Sequence, residues 1–194
     1  AYLRLQFEQQ EEALGNFSFS MAPAMTLEAI GDAISKHFPL LGLERCYVMY
    51  YSDVSSPGSI SNPMPEKFRL LLEYDENKFK ILRQGSEPAT GYLIPPGKTP
   101  DDHRYDAIVM PLELAGNRFG FMWTEIGLAD WDIYLRLKNL LASALLRTML
   151  VQQRAKAQLE VERLSSKAHE LDVEPAPARD VAEKAATQKD TDQR

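Results

Sequence analysis

A chain of 194 residues, 44% of them apolar, is long enough for one domain of ordinary size with a real core and appendages. Its net charge of −6 and the lack of any Lys/Arg cluster argue against a nucleic-acid surface. A single cysteine, Cys46, excludes an intrachain disulfide framework and a multi-cysteine metal site, and no stretch approaches the roughly 20 apolar residues of a membrane span.

The chain has no signal peptide and does not begin with Met, so the expectation is a trimmed piece of a cytoplasmic protein with no membrane partner. AYLRLQFEQQEEAL (1–14) reads as a helix with Leu3, Phe7 and Leu14 on one face and Arg4 and Glu8 four apart on another. Gly15 and Asn16 are expected to stop it, leaving NFSFSMAPAMT as a connector. Thr26 is the expected N-cap of a second helix, LEAIGDAISKHF, with Glu28 in its first turn and Leu27, Ile30, Ile34 and Phe38 as its apolar stripe. Pro39 and Gly42 are expected to close it, and His37 near its end faces the helix dipole.

RCYVMYYS is short, apolar and aromatic and reads as a strand, with Cys46 as a small buried side chain rather than a reactive thiol. A Ser/Pro/Gly-rich excursion follows. A second strand is expected over Phe68–Tyr74, then a turn at DENK and a short third strand over Phe79–Leu82. Residues 83–105 form a long loop, and loops of that length inside a compact domain are usually functional. YDAIVMPLEL and RFGFMWTEI read as two antiparallel strands joined by the short turn AGN.

Asp130 can cap the last element, and nothing breaks it until Pro175. From Trp131 to Leu171 one helix would run roughly 60 Å. Its pattern changes midway. Ile133, Leu137, Leu140, Leu141, Ala144, Leu145 and Met149 make a broad face suited to covering a sheet. Ala157, Val161, Leu164, Ala168 and Leu171 then repeat at spacings of 4, 3, 4 and 3, the narrow seam of a coiled coil. The tail lacks aromatic residues and reads as a disordered linker. The expected division is therefore a first helix and connector over 1–25, a body over 26–151, a coiled-coil continuation over 152–171 and a tail over 172–194.

This order, and above all PPGKTPDDHRYDAIVMPLELAGNRFGFMWTEIG followed by a helix ending ALLRTMLVQQR, resembles a GAF domain, a bacterial sensory module related to PAS. The resemblance covers about Thr26 to Val151 with the flanking helices. It is carried by Pro95, Pro96, Gly97, Asp101, Asp102, Arg104 and Tyr105 leading into a strand. It is similar to a subgroup that often follows a periplasmic-binding-protein-like domain and precedes a diguanylate cyclase or histidine kinase output. The resemblance implies an α+β fold with a central antiparallel sheet, the first and last helices on one face and ligand-side loops on the other. The chain lacks the cyclic-nucleotide motif, the chromophore cysteine of bilin-binding relatives and the several cysteines of sulfoxide-reducing ones.

Within DDHR, His103 with Asp101 or Asp102 could act as a general base and its orienter, but sequence neighbours rarely meet in that geometry and no nucleophile accompanies them. One His and two carboxylates are too loose a set for a metal. The plainer reading is a capped loop end with Arg104 in a salt bridge, and the next is a pocket rim. The aromatic residues Tyr50, Tyr51, Tyr92, Phe121 and Trp123 read first as core and second as a cavity lining. Strand alternation lets only one of Tyr50 and Tyr51 face a pocket. The candidate pocket set is Tyr50, Tyr92, His103, Arg104 and Trp123, with no catalytic residue, metal ligand or cofactor assigned. His169 lacks the Arg or Lys and Pro that should follow a phosphoacceptor. The seam implies a partner, and the simplest is a second copy meeting at Leu150, Ala157, Val161, Leu164, Ala168 and Leu171; the alternative is that the seam packs back on Leu3, Phe7 and Leu14 of its own first helix, and both hold at once in a dimer whose four helices bundle. The expected function is a non-catalytic dimeric sensor that relays a signal from a small-molecule ligand to an output domain; the alternative is a dimeric scaffold with an empty pocket.

Overall fold

The computed structural model describes residues 2–51, 68–76, 78–82, 98, 104–114, 116–128 and 130–172. The chain falls into two compact units, Ala1–Val151 and Gln152–Arg194. Eight elements are described: α1 (Tyr2–Met21), α2 (Leu27–Leu41), β1 (Arg45–Tyr51), β2 (Phe68–Asp75), β3 (Lys78–Ile81), β4 (Ala107–Leu114), β5 (Asn117–Glu125) and α3 (Trp131–Asp172). The strands form one antiparallel sheet in the order β3-β2-β1-β5-β4, so the fold is α+β with three helices, the last of them long. The expected tail from residue 173 onward and most of the expected loop 83–105 lie outside the described residues. Among the described residues no helix is long and apolar enough to cross a membrane.

Helix α1 does not stop at Gly15 and Asn16; it continues to Met21. The reason is burial. Gln10, Ala13, Leu14, Phe17 and Met21 form the inward line, with Phe17 at 0% and Met21 at 1% exposure. Burying each of those last two side chains contributes about 1.5–3 kcal/mol, more than the roughly 1 kcal/mol that glycine costs in a helix. Phe7, expected on the buried face, is partly exposed instead.

Thr26 caps α2 as its sequence indicated, its Oγ1 accepting the Ala29 N–H at 3.2 Å. Pro39 does not end that helix but sits in its last turn, where Ser35, whose carbonyl loses a donor, is exposed. The stop is Gly42, left-handed at φ 80°. The Gly42 N–H bonds the Pro39 carbonyl and the Leu43 N–H bonds the Phe38 carbonyl, a Schellman closure with Leu43 and Phe38 both buried beside it. Gln10 of α1 also donates to the carbonyl of Leu41 at 2.9 Å.

His37 differs from its expected place at a helix end: it is buried at 3% exposure between α1 and α2. Its Nε2 lies 3.0 Å from Ser20 Oγ, whose own proton goes to the Asn16 carbonyl. His37 is therefore the donor to Ser20, and its Nδ1, without a partner, carries the lone pair of a neutral ring. Burial, and secondarily Lys36, hold its pKa below the ordinary 6.5. As pH falls below about 6.5 the unfolded chain takes up a proton that the folded chain refuses. Folding stability should then decline until the folded pKa is passed. Urea midpoints from pH 8 down to pH 5 should drop further for the wild type than for His37→Phe; equal slopes would remove this role.

The sheet buries both faces. Cys46 and Val48 of β1, Leu72 and Tyr74 of β2, Met110 and Leu112 of β4, and Phe119 and Met122 of β5 join α1, α2 and the first half of α3 in one core. Two bulges change which side chains face that core. Register shifts between Val48 and Met49 opposite β2, placing the extra residue at Leu71, and between Leu112 and Glu113 opposite β5, placing it at Phe119. Leu72 and Tyr74 consequently face the helices although Phe68 and Leu70, of the same parity, face away. At one end of the sheet Arg45 spans three carboxylates, Asp75 at 3.1 Å, Glu125 at 3.0 Å and exposed Glu76 at 3.4 Å. Burial disfavours the charge of Arg45, but its bonds to Glu125 and Asp75 outweigh that and hold its pKa above the usual value.

Asp130 caps α3, accepting the Asp132 N–H at 2.9 Å. The approach to the helix is fixed by Tyr134, whose hydroxyl oxygen accepts the N–H groups of Gly127 and Leu128 at 2.8 and 2.9 Å. Ile133, Leu137, Leu141, Ala144 and Leu145 are buried in the core, with Leu140 and Met149 packed against it. Two arginines tie this stretch to α1. Arg136 reaches both oxygens of Glu11 at 2.7 Å, and Arg147 donates to the Met21 and Ala22 carbonyls at 2.8 and 3.0 Å, satisfying the open end of α1. In the second unit every described side chain from Gln152 to His169 is exposed, Ala157, Val161, Leu164 and Ala168 included.

Candidate functional site

On the sheet face turned away from the helices, Tyr47, Met49, Tyr51, Phe68, Leu70, Phe121 and Trp123 form a second buried cluster, joined by Leu82 and Tyr105. Alternation along β1 puts Tyr47, Met49 and Tyr51 here and Cys46 and Val48 on the other side. The rings are packed on one another. Tyr47 and Trp123 lie 5.2 Å apart at 31°, Tyr105 meets Trp123 edge-on at 6.0 Å, and Phe68 meets Phe121 edge-on at 4.9 Å.

Into this apolar face the register delivers one carboxylate. Lys80, Glu73, Tyr47, Trp123 and Val109 are successive cross-strand partners from β3 to β4. The side chain of Glu73 is only 5% exposed, and its Oε1 lies 2.6 Å from Nζ of Lys98 and 3.6 Å from Nζ of Lys80. Lys80 is mostly exposed, whereas Lys98 is more than two-thirds buried. The hydroxyl of Tyr47 donates to the backbone carbonyl of Lys98 at 3.2 Å, so one residue from outside the sheet engages both Glu73 and Tyr47. Burial, with Asp75 and Glu73 adding to it, pushes the Tyr47 phenol above its ordinary pKa and keeps it a neutral donor.

Of the residues singled out from sequence, Trp123 stands in this cluster at 2% exposure. Tyr50 does not; it shares the parity of Cys46 and Val48, is half-buried, and Tyr51 takes the position on the aromatic face. Arg104 is exposed just ahead of β4. Tyr92 and His103, with Asp101 and Asp102, lie outside the described residues. Tyr47, Glu73 and Lys98 were not singled out. Cys46 lies on the helix side, 2% exposed, with its thiol pushed up to about 12 by burial, so it is neither thiolate nor part of this face. Among the described residues no group of three His, Cys, Asp or Glu side chains could hold a metal ion.

The arrangement combines packed aromatic rings, a neutral hydroxyl and one charge-paired carboxylate. No nucleophile stands with a base among these groups. The chain matches no protein-family model, no curated protein and no solved structure. Fold and face together define an α+β protein whose sheet buries helices on one side and a polar-anchored aromatic cluster on the other.

Proposed function

We propose that this chain is a non-catalytic, dimeric regulatory module of the GAF type in bacterial signal transduction. It takes a signal at the aromatic face and passes it through α3 to an output domain of the diguanylate cyclase or kinase class. The two copies meet along a coiled coil formed by the second half of α3. One observation carries this reading: apolar side chains at Ala157, Val161, Leu164 and Ala168 recur at coiled-coil spacing on a helix whose side chains from Gln152 to His169 are all exposed in a single chain. Leu164 is 57% and Val161 65% exposed, an arrangement that a second helix would bury. The antiparallel sheet, with α1 and the first half of α3 in the core on one face, supports this reading, because the GAF resemblance implies the first and last helices on one face. A relay needs two states and a signal that favours one of them.

The test is deletion of everything after Ala155. The full chain should run as a dimer in light scattering, and the truncated chain should dissociate at least about tenfold more readily, since roughly two heptads of buried seam are lost. Equal dimer affinity in both would remove the seam from the account.

A further inference from the structure

The sheet does not need a carboxylate at residue 73. A row of Tyr47, Trp123 and a third apolar side chain would pack, and replacing a buried ion pair by apolar residues is often neutral or stabilising. Instead Glu73 is held in an aromatic cluster at 5% side-chain exposure, and its nearest counter-ion comes from a residue 25 positions further along the chain. The Lys98 head group is a primary ammonium, delivered at 2.6 Å against the carboxylate. Tyr47 and Trp123, the next partners along the row, are both buried, with their rings 5.2 Å apart.

We propose that Glu73, with the Tyr47–Trp123 wall, is a receptor for the primary ammonium group of a small organic amine with an apolar body, and that Lys98 is its tethered internal competitor. The carboxylate fixes the ammonium and the rings cover the hydrocarbon. Aromatic faces also attract cations directly. This rests on the sensory reading above and names its ligand class. Binding of an amine releases Lys98 from Glu73, and with it the tie between residue 98 and β2. No bond forms or breaks; one ammonium replaces another on the same oxygen.

The experiment uses the full chain carrying Trp131→Phe. Trp131 is about half exposed, and its removal leaves Trp123 as the one fluorophore of its kind. The probe is n-butylammonium chloride, with potassium chloride and 1-pentanol as the ionic and neutral controls. Trp123 emission and melting temperature are read in four backgrounds: Lys98 intact, Lys98→Met, Glu73→Gln, and Lys98→Met with Glu73→Gln. A tethered amine competes at an effective concentration in the millimolar range, so Lys98→Met should bind the probe about tenfold or more tightly than the background with Lys98 intact. Both Glu73→Gln backgrounds should lose the response, and neither control should reproduce it. Lys98→Gln serves in place of Lys98→Met if the latter is not folded by circular dichroism. The proposal is overturned if the folded Lys98 variant responds to butylammonium no more than to pentanol or potassium, or if the response survives Glu73→Gln. Light scattering on the same samples separates the two readings. Amine binding in a chain that never dimerises supports the receptor and removes the relay, whereas a dimer blind to amines overturns the receptor and leaves the relay standing.

Discussion

Gly120→Val should cost about 3 kcal/mol or more, among the largest losses available to a single change in this sheet. Gly120 stands in β5 between two neighbours, opposite Tyr50 of β1 and Leu112 of β4. A Cβ at this position would overlap the backbone carbonyl oxygen of Met49. Backbone in the middle of a paired strand cannot swing away; β1 and β5 would have to part, and that pairing supports both buried faces at once. Even Gly120→Ala meets the same atom. Gly31 of α2 offers the contrast. A Cβ there would overlap the ring of Phe79, but that ring is half-buried on an edge strand and can turn. Gly31→Ala also recovers roughly 1 kcal/mol of helix propensity. Urea unfolding followed by circular dichroism should therefore show a much lower midpoint for Gly120→Ala than for Gly31→Ala. Similar midpoints would mean that the close approach of β5 to β1 is not what requires glycine.

The signals that could be read from sequence were local ones. Thr26 and Gly42 mark the ends of α2 because a hydroxyl ahead of an apolar stripe and a residue free to turn left-handed do the same work in any protein. The five strands and the AGN hairpin followed from β-branched and aromatic runs between turn residues. What could not be read depends on partners distant in the chain. Nothing near Gly15 announces that Phe17 and Met21 will be buried, so the local pattern ends α1 too early. Strand period alone offers a choice between Tyr50 and Tyr51 but no face for either; the helices decide, by covering Cys46 and Val48.

Glu73 was hidden for a more specific reason. In FRLLLEYD, Arg69, Leu71 and Glu73 alternate as if they shared one outward face. The bulge at Leu71 separates them, so Arg69 pairs with Tyr50 while Glu73 pairs with Tyr47 on the aromatic side. A bulge is set by the neighbouring strand's register, and no residue of β2 declares it. Lys98 stands outside the sheet, and it is the carboxylate it meets that gives it a role.

Phe38→Ala should lose about 3–5 kcal/mol, which in a protein of this size lowers the melting temperature by roughly 10 °C. Phe38 is fully buried where three elements converge. Its ring lies 5.6 Å from that of Phe17 on α1 and 5.2 Å, edge-on at 78°, from that of Tyr74 on β2. Its carbonyl receives the Leu43 N–H that closes α2. Truncation removes a whole ring from a junction whose walls belong to α1, α2 and the sheet, so no one of them can relax into the space without disturbing the others. Each lost aromatic pair adds about 0.5–1.5 kcal/mol to the burial term. Phe38→Leu keeps most of the volume and should cost much less, under about 1.5 kcal/mol if the neighbours repack. Phe19→Ala sets the baseline: Phe19 belongs to the same α1 but is 82% exposed, and its loss should stay within about 0.5 kcal/mol. Chemical denaturation of the three variants should rank them Phe38→Ala, Phe38→Leu, Phe19→Ala from most to least destabilised. If Phe38→Ala fell within 1 kcal/mol of Phe19→Ala, the junction would not be holding α1 to the sheet, because a side chain that three elements enclose cannot be removed at the cost of one that is mostly exposed.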